Sequence, residues 1–116
     1  MLYTQIVGRI GVDVVRTREF DRDAKRIWTS RELTEVIEQL AKYPDSGVHL
    51  GSGLYKTRVG ASGRGKRGGA RVIYLWITAS RTIFLLAAYA KNEKDDLTAA
   101  ELKLLRKFAE SLRGTK

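Results

Sequence analysis

The chain has no cysteine, which excludes disulfides and thiolate metal sites and suits a reducing compartment. A single histidine, His49, is too few for a His-rich zinc site or a histidine pair for acid–base chemistry. No run of about 20 apolar residues occurs, so no membrane-spanning helix is expected. The first residues, MLYTQIVGRIGVDVVRTREF, have neither the basic start nor the long apolar stretch of a signal peptide. These absences lead to the expectation of a soluble, cytoplasmic protein. At 116 residues the chain fits one domain, 1–116, and buries roughly two-thirds of its unfolded surface without covalent staples.

Acid is missing from one long span. Residues 1–45 hold eight Lys/Arg and eight Asp/Glu, whereas residues 46–92 hold eight Lys/Arg and no acid. Residues 93–116 hold six cations and five acids, so nearly all of the net charge of +9 sits in the middle. A merely basic, well-solvated protein would spread its charge. A concentrated excess is the pattern of a surface that meets a polyanion, nucleic acid first among them.

The apolar periodicity predicts an α+β fold with a mostly antiparallel sheet. Residues 12–17 are β-branched and read as a strand. Phe20, Ala24, Ile27 and Trp28 form the stripe of a first helix, whose other face, Arg22, Asp23, Lys25 and Arg26, reads as solvated. Thr29 and Glu32 fit a capping box ahead of a second stripe, Leu33, Val36, Ile37, Leu40 and Ala41. Pro44 ends that helix. Gly51-Ser52-Gly53 reads as a turn. Three strands are expected after it, at 54–59, 71–78 and 83–90, the last two apolar on both faces and therefore central. Leu97-Thr98-Ala99-Ala100-Glu101 gives another capping box, and Leu102, Leu105, Ala109 and Leu112 the stripe of a last helix. Residues 1–11 are expected as an extra edge strand or an arm, and 113–116 as a frayed tail.

The usual catalytic groups are missing: no His–carboxylate pair, no P-loop, and no glycine-rich turn between strand and helix for a dinucleotide. The acids fall on solvated helix faces or at caps, and no cofactor or metal is expected. What remains is basic and aromatic. Lys56 and Arg58 share one strand face, Arg71 opens the next strand, and Tyr89 and Lys91 alternate near the end of the last. Any one alone reads as a surface cation or a half-buried tyrosine. Together they suit metal-free RNA cleavage, in which a 2′-OH attacks the adjacent phosphorus and cations stabilise the charge gathering on phosphate oxygens. A lysine crowded by other cations has a lowered pKa and can move protons. A tyrosine can stack on a base or donate its hydroxyl.

Three segments together, Gly53-Leu54-Tyr55-Lys56-Thr57-Arg58, Gly65-Lys66-Arg67-Gly68-Gly69-Ala70-Arg71-Val72-Ile73-Tyr74 and Tyr89-Ala90-Lys91-Asn92-Glu93 with Asp96-Leu97-Thr98, give a chain that resembles the RelE/ParE superfamily of bacterial toxins, in its HigB-type, RelE-like branch. The resemblance spans roughly residues 13–112. It implies a small α+β toxin of a type II toxin–antitoxin system that cuts mRNA on the ribosome and so inhibits translation. It further implies that Lys56 and Arg58 hold the phosphate, that Arg71 stabilises the transition state, and that Tyr89 and Lys91 complete the catalytic set. RelE itself carries a stacking tyrosine near the start of its last segment, where this chain has Thr98 or a neighbour, which leaves stacking to Tyr89.

Residues 60–76, GASGRGKRGGARVIYLW, run from glycine and cations straight into apolar sequence. A Gly/Lys/Arg hairpin carrying Arg64, Lys66 and Arg67 can follow an rRNA backbone while the strand after it holds Arg71 rigidly; the plainer reading is a solvated hairpin. Partners implied are the ribosome with its mRNA and a cognate antitoxin of helix-turn-helix, HigA-like type, with operator DNA reached only through that antitoxin and no membrane. Two other readings keep the sequence features: a ParE-like inhibitor of gyrase without RNase activity, and an RNA-binding module without catalysis.

Overall fold

The computed structural model describes residues 3–9 as backbone, and residues 11–60, 69–94 and 96–114. The chain order is β1 (Tyr3–Arg9), β2 (Val12–Thr17), α1 (Arg18–Ile27), α2 (Ser30–Lys42), β3 (Val48–Gly51), β4 (Leu54–Val59), β5 (Ala70–Ile77), β6 (Thr82–Ala90) and α3 (Ala99–Gly114). The six strands form one sheet in the order β1-β2-β6-β5-β4-β3. All neighbours are antiparallel except β2 and β6, which run parallel.

The two strands apolar on both faces are indeed the inner ones. On one face Val12, Val14, Val72, Tyr74, Ile83 and Leu85 pack with Phe20, Ala24 and Ile27 of α1 and Leu33, Val36, Ile37 and Leu40 of α2. On the other, Leu54, Ile73, Leu75 and Leu86 pack with Ala109 and Leu112 of α3. Each large aliphatic side chain so buried contributes about 1.5–3 kcal/mol. A bulge in β6 serves both layers: Ile73 pairs with Ala87 and Tyr74 with Leu85, leaving Leu86 unpaired. Leu86 and Ala87 therefore both belong to the α3 layer, while Leu85 faces the α1–α2 layer.

Local chemistry sets the helix boundaries. Thr17 closes β2 and caps α1 at once: its hydroxyl accepts from Phe20 N at 3.2 Å and donates to the Leu85 carbonyl at 2.8 Å. The Thr29–Glu32 capping box starts α2, with both reciprocal bonds made. The same reciprocal pair, Thr98 with Glu101, opens α3.

Three expectations need correction. Four strands, not three, follow α2, because Val48–Gly51 pairs with β4. No residue of β3 is buried, so its sequence has no apolar alternation to reveal it. The expected turn at residues 51–53 starts one residue later, with Gly51 still in β3; Gly51, Ser52 and Gly53 all adopt positive φ to make the tight reversal into β4. The last helix continues through Gly114, past the expected end at Leu112. Its final turns are held by Arg106, which donates twice to the Leu50 carbonyl at 2.9 and 2.7 Å, by Glu110, which accepts from the Ser52 hydroxyl at 3.4 Å, and by buried Leu112. Of residues 1–11, Tyr3–Arg9 form the edge strand β1.

Candidate functional site

Register decides which of the candidate residues meet. Arg58 of β4 lies opposite Arg71 of β5, and Arg71 lies opposite Tyr89 of β6. The three make one row across neighbouring strands spaced about 4.8 Å apart. Lys56, two residues before Arg58, shares its face, and Lys91 lies one residue past the end of β6. The Lys91 amide donates to the Gly69 carbonyl at 3.1 Å, which carries the pairing just beyond the strand. The row stands on the α3 side of the sheet, since Leu54, Ile73 and Tyr89 belong to the α3 layer. Arg58 is exposed and Lys56, Arg71 and Lys91 are half-buried, so four cations border one end of the sheet. Two arginines directly opposite one another destabilise a sheet. A local rule broken in this way is expected where function, not stability, chose the residues.

Tyr89 departs from expectation. It is only 5% exposed, packed in the α3 layer with the Lys94 ammonium 5.7 Å from its ring centroid. No ring face is open to stack on a base. Its hydroxyl instead donates to Asp96 Oδ1 at 3.2 Å. Burial, reinforced by the Asp96 charge, pushes the phenol up to about 12, so it is neutral at physiological pH.

Asp96 is the residue that sequence reasoning missed. Lys56 Nζ donates to its two oxygens at 3.0 and 3.2 Å, and the Leu97 amide donates to Oδ1 at 2.8 Å. The Lys56 bond, more than any other influence, holds the Asp96 carboxyl below its usual range. Lys56 is therefore paired with an acid. The acid stands 40 positions away in sequence, and only its place just before the Thr98 cap set it apart. Other acids are engaged as well, beyond the caps and solvated faces expected of them. Asp23 accepts from the Ala88 amide at 3.1 Å, and Glu93 from the Ala90 amide at 3.2 Å and from Arg26 at 3.2–3.3 Å. The span that is acid-free in sequence thus meets carboxylates from both flanking segments in space.

The cationic loop residues Arg64, Lys66 and Arg67 lie outside the described residues. The ends of their segment are fixed. Val59 pairs with Ala70, and the Trp28 indole Nε1 donates to the Gly60 carbonyl at 3.0 Å, so Val59, Gly60 and Ala70 stand at the arginine-row end of β4 and β5. Gly69 has φ +72°, and a Cβ there would sit 2.5 Å from the Val59 carbonyl oxygen. Among the described residues, no group of three or more His, Asp or Glu side chains is placed to hold a metal ion, and no helix is long and apolar enough to cross a membrane.

A family model described as the RelE toxin of the RelE/RelB toxin–antitoxin system matches residues 12–116. The match begins at the first residue of β2 and takes in every strand and helix after β1. Such toxins work opposite an antitoxin, so a cognate antitoxin is implied for this chain too. With nearly the whole chain matched, the protein belongs to the RelE toxin family.

Proposed function

We propose that this toxin is a metal-independent endoribonuclease of the HigB-like kind, which cuts mRNA on the ribosome and so stops translation. The observation that carries the reading is the Arg58–Arg71 opposition beside Lys56 and Lys91. Four cations at one end of a rigid sheet suit a phosphodiester better than any other common substrate. In the reaction the 2′-hydroxyl gives up its proton to solvent water as its oxygen bonds to phosphorus, the P–O5′ bond breaks, and a cyclic 2′,3′-phosphate remains. Arg58 and Lys56 hold the phosphate, and Arg71 stabilises the extra charge of the transition state. Lys91 and Lys56 bring ammonium protons to the departing 5′-oxygen. Tyr89 serves from within the fold, holding Asp96 and through it Lys56. Arg64, Lys66 and Arg67 contribute to the grip on rRNA.

The test is translation in a purified system with the mRNA ends mapped by primer extension. Cleavage within ribosome-bound message, lost in Arg71→Ala, is the expected result. Inhibition of gyrase with intact mRNA would move the protein to the ParE-like reading. RNA binding with neither effect would make it a non-catalytic binder.

A further inference from the structure

On the face of the sheet opposite the arginine row, a groove of about 520 Å³ lies against α1 and the start of α2. Arg18, Arg22 and Lys25 line it, spaced i, i+4 and i+7 along α1 and so on one side of the helix. All three are exposed, and none is among the ion pairs of the described residues. Among the described residues of the lining the one acid, Asp21, is already engaged by Arg16 Nε at 2.8 Å. The groove therefore carries a net cationic excess with no internal counter-charge for its three α1 cations.

We infer that this groove is a second polyanion site, which takes the phosphate backbone of a nucleic-acid strand independently of the arginine row. Two features choose a phosphate backbone over a single small anion or an acidic protein segment. The three cations span about 10 Å of helix, a reach that fits successive phosphates. The apolar lining is almost closed: Ala24 is 2%, Trp28 6% and Leu33 9% exposed. A protein partner draws its affinity from apolar and aromatic anchors in open pockets, and these three side chains offer little open surface to such an anchor. Ionic contact with counterion release supplies most of the sequence-independent hold on a nucleic-acid backbone. The sheet then carries cationic sites on both faces and can bridge two stretches of RNA. The identity of the polyanion as RNA rests on the proposed function; the existence of the site does not.

The test measures binding of a short single-stranded 2′-O-methyl RNA, which cannot be cleaved by 2′-OH attack, by fluorescence anisotropy across a salt series. Neutralising the groove with Arg18→Gln, Arg22→Gln and Lys25→Gln together should weaken binding and lower the slope of log K against log salt by about 2. The charge-keeping set Arg18→Lys, Arg22→Lys and Lys25→Arg should keep the wild-type slope. Combining the neutral set with Arg58→Gln should lower the slope further, as expected of separate sites. Circular dichroism accompanies each variant; should the triple change unfold the chain, Arg22→Glu alone should lower the slope by at least about 1. An unchanged slope overturns the inference. So does a triple variant that binds RNA normally but no longer binds polyglutamate, which would assign the groove to an acidic protein. Loss of mRNA cleavage in wild type would strike the proposed function and leave this result standing.

Discussion

Arg71 and Asp96 pose the sharpest questions about single side chains. If Arg71 stabilises transition-state charge, Arg71→Ala should fold normally and lose growth inhibition. Removing one such donor costs roughly 3–4 kcal/mol, or about a hundredfold to a thousandfold in rate. A folded, fully toxic Arg71→Ala protein would sink the assignment. Tyr89 predicts a pH effect with a definite sign. Its phenol is raised from 10.0 to about 12 by burial and the Asp96 carboxylate. The neutral phenol thus stabilises the fold fully below pH 10, and that stabilisation is lost as pH rises toward 12. Tyr74, raised to about 12 mainly by burial on the other face, acts in the same window. Stability, followed by denaturation from pH 9 to 12, should therefore fall less steeply with pH in Tyr89→Phe than in wild type, with the Tyr74 share remaining. Asp96→Asn should lower the Tyr89 pKa toward its ordinary value without reaching it, because burial persists; ultraviolet titration of the phenolate reads the change. No movement on Asp96→Asn would mean that the carboxylate does not act on Tyr89.

Elements were legible where their residues spoke locally. The stripes of α1 and α2, the two capping boxes, and the strands at 12–17 and 54–59 could be read because a helix stripe or a β-branched run states its own period. β3 could not, because an exposed strand has no buried side to mark it. The positions of Lys56, Arg58, Arg71, Tyr89 and Lys91 were readable by strand parity. Their environment was not: the closure of Tyr89 and the hold of Asp96 on Lys56 come from α3 and the turn before it folding over the sheet. The caps can be tested as elements. Thr29→Ala removes the acceptor for the Glu32 amide and should cost about 1 kcal/mol, visible as a lower urea midpoint. Gly69→Ala should cost more than this, since φ +72° and a Cβ 2.5 Å from the Val59 carbonyl oxygen both oppose it. Measured against the same urea midpoint, a neutral Gly69→Ala would show that the β4–β5 junction relaxes freely.

For the molecule as a whole, the +9 charge should govern how fast partners arrive. Association with the antitoxin should be rapid at low ionic strength and slow as salt rises; stopped-flow rates at several salt concentrations test this, and a salt-independent on-rate would mean that apolar contact drives the encounter. The topology carries a further consequence, in time. The strand β6 is among the last to be made, yet it sits inside the sheet and pairs with both β2 and β5. Until it emerges, β2 has no inner neighbour, Thr17 lacks the Leu85 carbonyl that anchors its cap, and Arg71 lacks Tyr89 across from it. Asp96 and α3 come later still. A nascent chain is therefore a set of unfinished layers for most of its synthesis, with no assembled cationic row. The cationic row is thus complete only once nearly the whole chain has been joined.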